Sequence, residues 1–261
     1  MEAALWVAKT GLDAQQTRMT VIANNLANVN TTGFKRDRAT FEDLLYQNVK
    51  QGGAQTSADT AAPTGLLLGT GTRVVATEKL HAQGNIIQTQ NAFDVAISGE
   101  GFFQILQPDG TLAYSRDGGF KISAEGVLVN SSGYRLQPEL AIPQNAQSVT
   151  IGADGTVSVQ PFGEAAAQTI GQIQVARFLN PSGLQAIGEN LFRETSSSGP
   201  PQVGIPTQQG NGQLIQGALE SSNVNVVEEM VNMIETQRAY EVNSKAIDSV
   251  NSMLQYANNN L

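Results

Sequence analysis

Few residues in this sequence are equipped for chemistry. Cysteine is absent, and the single histidine, His81, stands between Leu80 and Ala82. That removes disulfides, thiolate nucleophiles and cysteine-held metals, and it leaves too few ligands or bases for a zinc site or a nucleophilic triad. Carboxylates remain, since glycoside hydrolysis needs two of them facing each other across a cleft. Asp94, Glu100, Asp117 and Glu125 are the candidates, and each borders a glycine or a strand edge. Acids in such places commonly serve turns or sit in solvent. The segment Gly69-Thr70-Gly71 lacks the third glycine and the following Lys-Ser/Thr of a phosphate-binding loop. No catalytic, cofactor-binding or metal-binding residue is therefore assigned, and a secreted hydrolase or adhesin with a β-domain is the lesser alternative to a structural role.

The elements that would position any site are better marked. The chain has 261 residues and a hydrophobic fraction of 40%, enough to bury a substantial core. Charged residues make up only 15%, well below the ~25% of ordinary domains. Its surfaces must therefore be built from Gln, Asn, Ser, Thr and Gly, which lose little when buried against copies of themselves. Lys+Arg 15 against Asp+Glu 23 gives 15 − 23 = −8, the wrong sign for nucleic acid. The N-terminal run Met1–Lys9 carries Glu2 where a secretory signal needs a positive charge, and its apolar stretch is short. No stretch approaches the ~20 apolar residues of a membrane span. The expectation is a chain that stays inside the cell or leaves it without a cleaved signal.

The two ends and the middle are written in different periods. Leu5, Leu12, Met19 and Leu26 recur every seven residues, with Ala8, Gln15, Ile22 and Val29 three positions after each. Near the C-terminus Met233, Tyr240, Ile247 and Leu254 repeat the spacing, with Thr236, Asn243, Val250 and Ala257 as the companion row. Both are the a/d register of a coiled-coil seam. Asn225 followed by Glu228 reads as an N-cap, and Asn28 to Gly33 as the end of the first helix. Between them, short alternating runs such as Phe93–Ser98 are separated by Pro108-Asp109-Gly110, Asp117-Gly118-Gly119, Glu125-Gly126, Asp154-Gly155 and similar turns. Two stretches rich in small and polar residues, Gly52–Gly71 and Thr195–Gly212, read as flexible. The predicted fold is α+β in several parts: N- and C-terminal helices pairing as a coiled coil, plus a central all-β domain. Its expected limits are 1–36 for the N-terminal helix and signature, 37–75 for an extended linking segment, 76–220 for the β-rich domain and 221–261 for the C-terminal helix. Either heptad pattern alone fits equally well an ordinary amphipathic helix packed on the β-domain. Together they suit two helices that meet outside it and need neighbours to cover them.

The segment from Asn24 through Asn25, Asn28 and Gly33 to Phe34 and Lys35 resembles the N-terminal signature of the bacterial flagellar axial proteins, which build rod, hook and hook-associated structures. Ser222–Glu241 resembles the partner signature at the other end, and Phe93–Phe103 and Tyr114–Phe120 look like two further landmarks. Within the family the resemblance is greatest to distal-rod members. It rests there on Ala4–Gly11, Phe41–Tyr46, Leu68–Gly71 and Ile187–Leu191, and it spans nearly the whole chain. The resemblance implies a structural subunit of the basal body that polymerises with itself into the rod, with proximal rod or hook membership as the alternative. It implies as partners the proximal rod and hook proteins, the surrounding P- and L-ring proteins and the type III export apparatus, and as place the periplasm-spanning rod, reached without a cleaved signal. It also implies that Gln47–Leu68 bridges subunits and stiffens the rod, although this polar, glycine-bearing stretch reads alone as a flexible loop. Leu5, Leu12, Met19, Ile22, Leu26, Met233, Tyr240, Ile247, Val250 and Leu254 are the expected assembly seam, and Asn24, Asn25, Asn28, Gly33 and Phe34 the signature residues.

Overall fold

A computed structural model describes residues 2–53, 55–57, 60–61, 64–163 and 166–259. The architecture is α+β, with a helix at each end and antiparallel sheets between. The chain divides into two compact units, one of Met1–Leu26, Asp37–Glu78 and Asn225–Leu261, the other of Ala27–Arg36 and Lys79–Val224.

The first unit holds helix α1 (Glu2–Ala27) and helix α2 (Val226–Asn259). α1 contains no proline, and its threonines are reconciled with the helix because Thr10, Thr17 and Thr20 return their hydroxyls to carbonyls three or four residues back. α2 begins as the sequence predicts. Asn225 Oδ1 accepts the amides of Val227 at 3.1 Å and Glu228 at 3.4 Å, and Glu228 and Glu229 lie at the positive end of the helix. Strand Asp37–Asp43 pairs with Thr72–Lys79.

Between those strands the stretch predicted to be a flexible loop is instead a hairpin. Gln47–Lys50 pairs antiparallel with Leu66–Leu68, and Gln55–Ser57 with Thr60–Ala61. Ladder hydrogen bonds use only the backbone, so a Gln- and Thr-rich segment can pair without an apolar face. The hairpin leaves Leu66, Leu67, Leu68 and Val49 exposed. At its base the Gly69-Thr70-Gly71 turn makes a close approach. A Cβ on Gly71, whose φ is +119°, would stand 2.1 Å from the Thr10 hydroxyl, so only glycine lets this strand reach α1.

The second unit is built on strand Phe102–Leu106, flanked by Leu112–Ser115 on one side and by Arg135–Gln137 and Val175–Arg177 on the other. Strand side chains alternate between faces, and here both faces are covered. Phe103, Ile105, Ala113, Val175 and Leu191 join the larger apolar core, while Phe102, Tyr114, Ala176 and Phe192 join a smaller one with Phe178 and Leu184. Val95–Ser98 pairs with Gln213–Gln216, and Ile86–Gln88 with Ala218–Glu220. The Thr195–Gly212 stretch is more ordered than its composition suggests, because Gln202–Gly204 pairs with Val175–Arg177 and Ser198 is buried. Asp117-Gly118-Gly119 also differs from its reading as a plain turn. Gly118 lies so close to Val95 that an added Cβ would sit 1.7 Å from its carbonyl oxygen.

Candidate assembly site

In the first unit the heptad rows face inward in large part. Ile22 is buried, while Leu5, Leu12, Met19, Leu26, Met233, Ile247, Val250 and Leu254 are half-buried. Thr236, a polar member of the companion row, is fully enclosed and donates its hydroxyl to the Asn232 carbonyl at 2.6 Å. Tyr240 departs from the row at 41% exposed, and Ala239 beside it is the more covered. The two helices meet antiparallel. A Cβ on Gly11 would lie 3.2 Å from Asn243 Nδ2, and seven residues on, Arg18 donates to Asn232 Oδ1 at 3.5 Å.

A second apolar row on α2 is left largely open among the described residues. Val227, Met230, Val231 and Ile234 are 70%, 53%, 50% and 48% exposed. Their i, i+3, i+4, i+7 spacing places them on one helical face. Val242, Met253 and Tyr256 are also exposed.

The signature asparagines do different work. Asn25 is buried and pairs with the Asp37 backbone as a strand would, its Nδ2 donating to the carbonyl and its Oδ1 accepting the amide, both at 2.9 Å. Asn24 donates to Asp37 Oδ2 at 3.3 Å. Asn28 closes the turn after α1, its carbonyl accepting the Thr31 amide and its Oδ1 the Thr31 hydroxyl. Gly33 has φ +67°, and a Cβ there would meet the Asp117 amide at 2.6 Å. Phe34 is half-buried beneath the Lys79 ammonium, 5.0 Å from its ring centroid.

One residue further, Lys35 enters a buried charge cluster that sequence reasoning did not single out. Its Nζ donates to Glu220 Oε1 at 2.6 Å and to the Ala82 carbonyl at 2.8 Å, while Arg116 Nε reaches Glu220 Oε2 at 2.5 Å. The rest of the Arg116 guanidinium donates to the carbonyls of Ile97, Gly99 and Gly101. Burial alone would raise the Glu220 carboxyl, but the Arg116 and Lys35 cations outweigh it and hold it below the ordinary carboxylate value. Burial lowers the Lys35 ammonium, with Glu220 opposing and Arg116 assisting. A signal was present in the sequence. Ala218 and Glu220 share one strand face, and a charged residue on a buried face demands partners.

The carboxylates that could have done chemistry are otherwise engaged. Asp94 accepts from the Thr89 hydroxyl at 2.6 Å and Asn91 Nδ2 at 2.8 Å. Asp117 accepts from the Thr32 hydroxyl and the Gly119 amide. Glu125 pairs with Arg135 in solvent, and Glu100 is exposed near Arg177. His81 packs edge-on against Phe102 and Phe192 at 5.5 and 5.6 Å. Burial and the Lys35, Lys79 and Arg116 cations push its pKa down to about 4. Among the described residues, no three of His, Asp and Glu come together as a metal-ligand set.

Three family models match this chain: flagella basal body rod protein over residues 5–35, flagellar hook protein FlgE/F/G D1 domain over 96–159, and flagellar basal body rod FlgEFG protein C-terminal over 215–260. The chain is 55% identical to the flagellar basal-body rod protein FlgG of Buchnera aphidicola subsp. Schizaphis graminum, over 97% of each chain. It is 50% identical to the FlgG protein of Borreliella burgdorferi, over 99% of this chain and 98% of that one. Against the FlgF protein of Caulobacter vibrioides the identity is 35%, over 95% of this chain and 94% of that one.

Proposed function

The chain belongs to the family of the flagellar basal-body rod protein FlgG, and from that premise we propose that it is the structural subunit of the distal rod, polymerising with itself through its terminal helices. The observation that supports this reading is the exposed row Val227, Met230, Val231 and Ile234 on a helix whose seam residues are already half-buried. Four exposed apolar residues on one face of a long helix are the mark of a contact with another chain. The seam residues Leu5, Leu12, Met19, Ile22, Leu26, Met233, Tyr240, Ile247, Val250 and Leu254 would hold the helical pair that presents this row. Neighbouring rod and hook subunits, the ring proteins and the export apparatus are the further partners of such a subunit. Its place is the part of the basal body between the membranes, and its role is mechanical, without catalysis. Higher identity to FlgG chains than to the FlgF chain favours the distal over the proximal rod.

Sedimentation over a rising concentration series tests the proposal. The parent chain should shift from monomer to long polymers, and Ile234→Asp should remain monomeric with an unchanged melting temperature. An unpaired charge in a buried contact costs several kcal/mol, enough to abolish assembly. Polymers from the substituted chain that match the parent's would rule out this face as the contact.

A further inference from the structure

Three segments of the β unit run on into the rest of the chain: Ala27–Arg36, which does so at both of its ends, the segment that starts at Lys79 and the one that ends at Val224. Two side chains of the last segment bind both of the others. Glu220 accepts Lys35 Nζ at 2.6 Å and the Gly84 amide at 2.8 Å on the same oxygen, and its carbonyl accepts the Gly33 amide at 2.8 Å. Asn223 Oδ1 accepts the Arg36 amide at 2.7 Å, while its Nδ2 donates to the carbonyls of Leu80 at 2.8 Å and Ala82 at 3.0 Å. The Leu80 amide closes the set by donating to the Arg36 carbonyl at 2.8 Å. Arg116 anchors Glu220 to the body of the unit through carbonyls on either side of Glu100.

This is a costly way to hold three strands together if packing were all that mattered. Replacing a buried ion pair by well-packed apolar groups is often neutral or stabilising. Directional bonds from two side chains to three segments instead remove the freedom of each segment to slide or twist against the others. We propose that Glu220 and Asn223 are positioning residues that cinch the three connecting segments into one rigid element, and that load applied to the terminal helices of an assembled subunit enters the β unit through this cinch. The second half of the proposal rests on the rod reading given above; the first does not.

Amide exchange on the full chain separates the two residues. Asn223→Ala strands no charge, and it should speed exchange at Arg36 and Leu80 about 10- to 100-fold, the effect of losing a few hydrogen bonds. Glu220→Asp keeps the carboxylate but shortens its reach, and it should act on the Gly84 amide instead, leaving the Gly33 amide on the backbone carbonyl of residue 220. Amides of strand Phe102–Leu106 should exchange as in the parent in both variants. Uniform loosening of that strand with the connecting segments, or no change at the Arg36, Leu80 and Gly84 amides, would overturn the cinch. Flagella built from Asn223→Ala subunits should have rods of normal length yet lose torque under high load. Normal torque alongside the local loosening would overturn the load path. A parent chain that forms no rods would sink the rod reading, and the exchange data would still decide the cinch.

Discussion

His81 shows how a residue that resembles a catalytic group is kept from acting as one. It stands beside a cavity of about 340 Å³ lined also by Lys35, Arg116, Phe102 and Phe178, and three cations face it. Burial penalises a proton on the ring and the Lys35, Lys79 and Arg116 cations penalise it further, so the folded chain resists protonation down to about pH 4. The unfolded chain takes up that proton near pH 6.5. Between those values the unfolded state binds more protons, so stability falls as the solution is acidified through this window. The full difference is on the order of 3 kcal/mol. His81→Phe removes the titration while keeping an aromatic ring against Phe102 and Phe192. Urea unfolding at pH 7 and pH 4.5 should therefore show a smaller acid loss for the variant than for the parent. Equal losses would mean that His81 is solvated in the folded chain. Glu220 contributes further out. Its depressed carboxyl supports the fold above the ordinary carboxylate range, and that support is lost only as the pH falls through its lowered folded value.

At the scale of elements, the Gln47–Leu68 hairpin is the part whose order and function are most easily separated. Leu67 is 58% exposed and lies in the strand that pairs with Gln47–Lys50. Leu67→Asp should change stability by less than about 0.5 kcal/mol, as exposed substitutions do. If the hairpin bridges neighbouring subunits, the same variant should give rods of altered length or curvature by electron microscopy. A large drop in melting temperature with normal rods would place Leu67 in the fold's own core and end the bridging idea. The hairpin also marks where the sequence stopped being readable. The terminal helices were legible because a seven-residue period is sustained over more than twenty residues at each end, and because Asn225 and Glu228 stand at a recognisable cap. The turns at Gly110 and Gly155 were legible from their Asp-Gly pairs, and both glycines have φ near +82°. The hairpin was not, because its outer strands pair through backbone alone and no polar/apolar alternation announces them. The alternating run Phe93–Ser98 carries a related lesson, because its strand is buried on both faces and Val95, Ala96 and Ile97 are all enclosed. For the Lys35–Glu220–Arg116 cluster the sequence hinted that Glu220 needs partners but not which ones. Its members lie 104 and 185 residues apart in the chain, and nothing local in a sequence states which charges will meet.

For the whole molecule the decisive quantity is the balance between apolar surface left open and net charge. Subunits carrying −8 repel one another, while on the proposed reading burial of the exposed rows on α2 and the hairpin would draw them together. The two forces respond oppositely to salt. Repulsion between exposed charges is screened beyond ~8 Å at physiological ionic strength and beyond ~3 Å at 1 M, whereas apolar burial is maintained or, with sulfate, strengthened. Self-association should therefore grow as sodium chloride is raised from low to physiological strength, and grow further in sodium sulfate. Light scattering at fixed protein concentration checks this directly. The ion pairs at the surface argue the same way, since Arg38–Glu78, Arg73–Glu42 and Arg135–Glu125 are already satisfied within the chain and are not needed by a neighbour. If scattering instead falls with added salt, the contacts between subunits are chiefly ionic. The uncovered row from Val227 to Ile234 would then have to be assigned to some partner other than a second copy of this chain.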